Sequence, residues 1–238
     1  MLDVSLPPVQ RTLLRDEAYR AIRDAIVSGV LAPGEVIRDA DLAERMGLSR
    51  APVRDALARL ADDGLVESKP QSYTRVTPLI LRDVRDAVAV VRAMHELAAR
   101  VAVPMLGKLD VRTMRDANKR FAAAVRRGDV ESALADDDAL HGVLVAACGN
   151  RAVAATIERY TPLIQRLERR KFATVSGQRS VRLHEQLIAA CAAGDVDAAV
   201  AVTGTIWSSL DELLDKAVDV EALLPPRSRR SPTPPSGG

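Results

Sequence analysis

Apolar residues recur at helical spacing through most of the chain, and the N-terminal third departs from that pattern in an orderly way. Between residues 12 and 28, Leu14, Ala18, Ile22, Ala25 and Ile26 share one helix face, and Gly29 stops the helix. Residues 31–37 read as a turn, Ala32-Pro33-Gly34, leading into a short extended piece. Leu42, Ala43 and Met46 mark a short helix over 41–46, closed by Gly47. Ser49 stands at the N-cap of the next helix, where its hydroxyl can accept from an orphan amide. Pro52 falls in the first turn, where a missing N–H costs nothing. Val53, Ala56, Leu57 and Leu60 form the buried stripe of that helix, and Gly64 ends it. Its other face carries Ala51, Arg54, Asp55 and Ala58, with Arg50 at the entrance. Residues 65–68 and 74–77 follow as two strands. Helix, short strand, helix-turn-helix and hairpin together predict a winged helix-turn-helix over residues 11–78.

Beyond residue 78 the pattern changes to long helices, over 80–103 (broken by Pro104), 111–127, 130–147, 151–174, 178–193 and 196–218. Pro162 is expected to kink the fourth of them. The short joints containing Gly or Asp fit an antiparallel α-helical bundle over 79–224. The fold class is therefore mainly α, a winged helix-turn-helix followed by a bundle. Residues 1–10, with Pro7-Pro8, read as a flexible arm. Residues 225–238, rich in Pro, Ser and Arg, cannot bury a core and are expected to be disordered.

Composition narrows the picture. Aromatics make up 3% of the 238 residues, which suits Ala-, Val- and Leu-rich helices. No apolar run approaches the ~18 residues of a membrane span and no leader segment opens the chain, so a cytoplasmic protein without a membrane partner is expected. Cys148 and Cys191 lie in Ala-rich helical text and read as core packing rather than a disulfide. The net charge of +2 misleads, because residues 1–78 hold 11 Lys and Arg against 12 Asp and Glu. A DNA-binding reading rests on where Arg50, Arg54 and Arg59 fall, not on bulk charge. A helix with a short-chained outer face and arginines near its N-terminus can enter a major groove ~12 Å wide and aim them at guanine edges. The plainer reading is a helix pair used for packing. Against it, the Gly-Leu-Ser turn, the small outer face and the following hairpin coincide.

The text LAPGEVIRDADLAERMGLSRAPVRDALARLADDGLVE resembles the winged-helix signature of the GntR family of bacterial transcription regulators, in its FadR-like branch. The segments VRAMHELAA, DDDALHGVLVAACGN and HEQLIAACAAGDVDAAVA resemble the helical, FCD-type effector-binding domain of the same branch. The resemblance spans about residues 12–222. It implies a homodimer on a near-palindromic double-stranded operator, most often repressing. A small-molecule effector such as an organic acid would enter the helical domain and release or remodel the operator complex. It places DNA contacts at Ser49, Arg50, Ala51, Arg54 and Arg59, with Lys69 and Arg75 of the hairpin free to meet phosphates. Ser72-Tyr73 stand where the family's wing carries Arg-Gly, which argues against minor-groove insertion.

In the helical domain the resemblance assigns effector contacts to Arg92, Asp137, His141, Asn150 and His184. Many relatives hold a divalent ion with one Asp and three His. Asp137, His141 and His184 match three of these ligands, but the fourth position is Ile206, which cannot coordinate. Asp137 and His141, four residues apart, share one helix face. Three readings stay open here: a weakly held zinc, manganese or nickel ion, a metal-free pocket taking an organic anion through Arg92 and the two histidines, and a water-filled polar cavity. A zinc hydrolase would need a general base, and none is left once Asp137 is spent, so no enzyme activity is expected. Arg92 and Glu96 match the family's R-x-x-x-E pair or form an ordinary ion pair. His95 reads as a half-buried polar substitution. Arg166, Arg169, Arg170 and Lys171 read as a solvated helix face, and Arg227, Arg229 and Arg230 as weak non-specific DNA attraction. From another class, the alternative function is a metal- or ligand-binding helical protein with little specific DNA binding.

Overall fold

The computed structural model describes residues 12–69, 73–172 and 176–223. The expected arm over 1–10, the tail over 225–238 with its arginines, and Ser72 at the wing tip lie outside the described residues. The chain opens with α1 (Thr12–Val27), β1 (Val36–Ile37), α2 (Asp39–Met46), α3 (Arg50–Asp62), β2 (Val66–Lys69) and β3 (Tyr73–Val76). The strands pair antiparallel in the order β1-β3-β2, with Val36 opposite Arg75 and Val66 opposite Val76. Gly47, at φ 64°, makes the turn between α2 and α3. A residue with a Cβ is strained in that left-handed conformation. Ser49 has extended backbone at the N-cap, but its hydroxyl makes no capping hydrogen bond. Ile22, Ile26, Leu60 and Leu65 form the centre of this domain's core, into which α1, α3 and the sheet all pack.

The bundle consists of α4 (Leu81–Ala102), a 3-10 turn (Val103–Met105), α5 (Lys108–Arg127), α6 (Val130–Cys148), α7 (Arg151–Phe172), α8 (Ser176–Ala193) and α9 (Val196–Leu223). Helix α5 starts earlier than the apolar pattern predicts, because Asp110 reaches back to accept from the Gly107 amide at 2.8 Å and stabilises the first turn. Helix α7 runs through Pro162. Helix α4 is central, packed on α6, α7 and α9. Cys148 and Cys191 are free thiols, and burial pushes the Cys191 thiol up to about 11.

Polar contacts join the two domains. Arg159 of α7 donates to the Asp62 carbonyl at 2.7 Å and faces Asp63 at 3.6 Å. Asp63 in turn accepts from the Tyr19 hydroxyl at 2.8 Å, and burial with that carboxylate pushes Tyr19 up to about 12. Arg166 donates to the Thr77 carbonyl at 2.9 Å. This corrects the solvated-face reading for Arg166, which is buried against the domain junction, and for Arg169, which pairs with Glu131. The side chains of Arg170 and Lys171 lie outside the described residues. No described helix is long and apolar enough to cross a membrane.

Candidate functional site

Helix α3 presents Arg50, Ala51, Arg54, Asp55 and Ala58 to solvent, because the i, i+3, i+4 stripe from Val53 to Leu60 takes the other side into the core. Arg50 and Arg54, with side chains 63% and 71% exposed, share one partner that the sequence reading passed over. Asp39, in the first turn of α2, accepts from Arg50 at 3.0 Å and lies 3.7 Å from Arg54 Nε. Exposed pairs of this kind are weak, so both guanidinium groups remain available while pointing the same way. Ser49 is exposed beside them.

Three further candidates are placed differently from one another. Arg59 lies 3.9 Å over the Tyr19 ring and reaches Asp16 and, on α7, Glu158. In this structure it stands at the domain junction, its side chain still 48% exposed. Arg75 is held by Glu67 on the paired strand and lies 5.0 Å over the Tyr73 ring. Lys69 is exposed at the end of β2.

In the bundle, Asp137, His141 and His184 come together, with ligand atoms all within 4.8 Å of one another. Helix α6 supplies Asp137 and His141 one turn apart, and α8 supplies His184, fully buried. Asp137 Oδ2 is 3.9 Å from His141 Nε2, and Asp137 Oδ1 is 3.3 Å from His184 Nε2. Asn118 of α5 orients the second imidazole. Its Nδ2 donates to the Val181 carbonyl at 3.3 Å, which turns its Oδ1 toward His184 Nδ1 at 3.1 Å. Nδ1 therefore carries the proton, and Nε2 presents a lone pair to Asp137. Two acceptors 3.3 Å apart need a positive centre between them, either a second imidazole proton or a metal ion. The donor set fits a divalent ion held by Asp137, His141 and His184, with Asn118 as the outer group that fixes the ligand's tautomer.

Asp137 and His141 also line a cavity of about 460 Å³, walled by α4, α6, α7 and α9 and, from the N-terminal domain, by Arg23 of α1. Arg23 pairs with its neighbour Asp24 at 2.9 Å. Asp138 sits in the wall and accepts from Gln165 at 2.6 Å. His95, expected to be half-buried, is 5% exposed and lines the cavity, stacked on Trp207 at 4.8 Å. Burial, with His141 beside it, holds its imidazole down to about 3.

Two assigned effector residues stand elsewhere. Arg92 pairs with Glu96 at 2.8 Å and donates to Ser208 on α9 at 2.9 Å. A Cβ at Gly204 would meet Glu96 Oε1 at 2.9 Å and Arg92 Nη2 at 3.1 Å, so this ion pair packs where α9 has no side chain. Asn150 is the exposed N-cap of α7, accepting from the Ala152 and Val153 amides. Neither residue lines the cavity. Ile206 packs in an apolar cluster with Leu140, Leu144 and Leu187, and its neighbour Trp207 faces the cavity instead. Sequence reasoning missed Asn118, Arg23 and Trp207. Only Asn118 left a signal, as a polar residue inside the apolar stripe of Met114, Ala117 and Phe121.

Comparison with known proteins gives matches across both domains. Residues 85–208 match the FCD domain family and residues 14–76 match the bacterial regulatory proteins of the gntR family. An HTH-type transcriptional regulator from the TAR-I ttuE-ttuC' intergenic region of Agrobacterium vitis is 36% identical over 133 residues, 54% of this chain and 77% of that protein. The HTH-type transcriptional repressor RspR of Escherichia coli is 26% identical over 198 residues, covering 83% and 86%. Among solved structures, Escherichia coli McbR/YncC superposes with a TM-score of 0.76 at 18% identity, covering 86% of this chain and 98% of that one. A GntR regulator from Rhodococcus gives 0.70 at 18% identity, covering 84% and 97%. At these identities the structural likeness speaks for the fold.

Proposed function

The chain belongs to the GntR family of bacterial transcription regulators, with an FCD domain as its helical half, and from that premise we propose an operator-binding homodimer whose DNA affinity is set by a small organic acid in the junction cavity. Helix α3 enters the major groove, with Arg50 and Arg54 on base edges or phosphates and Ser49 and Ala51 close against the backbone. Arg59 works at the junction, and Lys69 offers a phosphate contact from the wing. The observation that carries this reading is the cavity itself, because Arg23 of the DNA-binding domain forms part of its wall. A ligand there touches both domains, so its affinity depends on how they sit together. By linkage, so does operator affinity.

Asp137, His141 and His184 would hold a zinc, manganese or nickel ion, which when bound supplies a positive centre for a carboxylate oxygen. The dimer is supported by an apolar stripe on α4, where Val90, Leu97 and Val101 are exposed at helical spacing and Met105 continues the line. Repression is the expected sign of regulation, and the cytoplasm the expected compartment.

Selection of bound duplexes from a random DNA pool, followed by footprinting with and without carboxylates, tests the reading. Two inverted half-sites and a carboxylate-dependent change in affinity are expected. Enrichment of no inverted repeat would overturn it in favour of a ligand-binding helical protein.

A further inference from the structure

Trp207 projects from α9 into the cavity wall, stacked on His95 and with its ring centroid 6.3 Å from that of His141. Its indole nitrogen is a donor with no acceptor capacity. It is buried, and no described protein group accepts from it. Buried donors nearly always have a partner, so one left by the protein points to an acceptor supplied from outside. The neighbouring chemistry says what kind. Asp137 and His141 share the cavity wall with Trp207, and His184 joins them in one cluster, while Arg23 and Gln165 add donors along the wall.

We propose that Trp207 is an effector-recognition residue, its indole N–H donating to a carboxylate oxygen of a small organic acid seated beside the Asp137–His141–His184 cluster. This rests on the sensing role given to the cavity above. The stacking on His95 fixes the plane of the indole before the ligand arrives, which lowers the ordering cost of binding. The register of α9 explains why position 207 rather than 206 does this. Ile206 faces the apolar cluster with Leu140 and Leu187, and the next residue turns to the cavity.

The chain has a single tryptophan, so the full-length protein labelled with 15N-tryptophan gives one indole N–H resonance. Acetate, lactate, succinate and citrate are titrated, each into metal-free and zinc-loaded protein, with calorimetry in parallel. A carboxylate that binds should move the indole proton downfield, as a hydrogen bond to oxygen does. Trp207→Phe, which keeps the stacking ring, should weaken that carboxylate at least about tenfold and leave zinc affinity within threefold. Calorimetric binding with an unmoved indole resonance, or with undiminished affinity in Trp207→Phe, overturns the proposal and leaves the sensing role standing. If none of the four acids binds either form, the sensing role for organic acids falls and this inference falls with it. Should Trp207→Phe not fold, the wild-type indole shift decides alone.

Discussion

Helices α3 and α6 carry the side chains proposed to read DNA and to sense the effector, in opposite surroundings. On α3 the arginines stand 63% and 71% exposed, tied loosely to Asp39, while Val53 and Leu60 on the other face are wholly buried. On α6, Asp137 and His141 lie on the buried side with Leu140 and Leu144, 9% and 5% exposed. The first helix keeps folding and function on separate faces. In the second, one set of residues serves both, so a polar side chain there needs a partner within the bundle. Asn118 behind His184 is one result. Changes to the proposed reading face are therefore expected to spare stability, and changes to the proposed sensor to affect it.

The sharpest break in this comparison comes from the double substitution Arg50→Ala with Arg54→Ala. An arginine on a guanine edge is worth ~1–3 kcal/mol, so operator affinity should fall about 100-fold or more. The melting temperature should stay within a degree or two, because the lost pairs with Asp39 are exposed. Fluorescence anisotropy on the selected operator and a thermal melt measure both. A drop in melting temperature with unchanged operator affinity would reverse the roles given to the two faces.

The sensor should show the opposite coupling through His95. Its folded-state value of about 3 lies below the ordinary 6.5. Between those limits the unfolded chain binds a proton that the native protein refuses, so stability is full above pH 6.5 and falls as pH drops toward 3. One proton over the 1.5 units from 6.5 to 5 amounts to about 2 kcal/mol. His141, Asp137 and Trp207 face the same ring. The difference between wild type and His95→Phe, melted without metal at pH 7.5 and 5.0, isolates this residue. Equal losses in the two proteins would show that His95 takes up its proton when folded.

A third test acts on the cluster and not on the fold. Ile206 packs with Leu140 and Leu187, which flank the cluster's histidines on α6 and α8. If an imidazole at that position turns to the cluster in Ile206→His, zinc should bind on the order of tenfold more tightly, as changes around a metal centre usually weigh. Calorimetric titration of both proteins decides it. If the wild type already binds stoichiometrically and Ile206→His changes nothing, position 206 does not reach the cluster.

The same contrast explains what was legible in the sequence. The helix-turn-helix follows from local signals, namely Gly47 at positive φ, Pro52 in a first turn and the stripe from Val53 to Leu60, all within one short segment. Arg50 and Arg54 follow from that stripe as its complement. The start of α5 did not, because Asp110 extends it, and neither did the end of α9, which runs on to Leu223. In the sensor, Asp137 and His141 were readable as a pair on one turn. Arg23 and Trp207 reach the cavity only through the docking of α1 and α9, which no local pattern encodes. Arg59 and Arg92 show the reverse, since each stands out by position and the structure adds partners that no local pattern encodes, Tyr19 for the one and Glu96 with Ser208 for the other.

The smallest expected effect concerns the wing. Tyr73 is half-buried on β3, opposite Lys69 on β2, with the Arg75 guanidinium 5.0 Å over its ring and Glu67 holding the same guanidinium from across the strands. The arginine best placed to leave the hairpin for a minor groove is thus engaged twice on the hairpin itself. Tyr73→Gly removes a cation–π contact worth ~0.5–1 kcal/mol at an exposed site and puts glycine in a strand, at a similar cost. Stability should dip slightly. Because Glu67 still holds Arg75, sequence preference at the minor-groove positions of the operator should shift less than about twofold. Repeating the duplex selection with the variant measures it. If discrimination at those positions is lost, Tyr73 itself reads the groove, and the wing joins α3 as a surface where exposed chemistry carries recognition. If discrimination holds but affinity rises, the released Arg75 has found a phosphate, and the Tyr73 ring restrains the wing in the native protein.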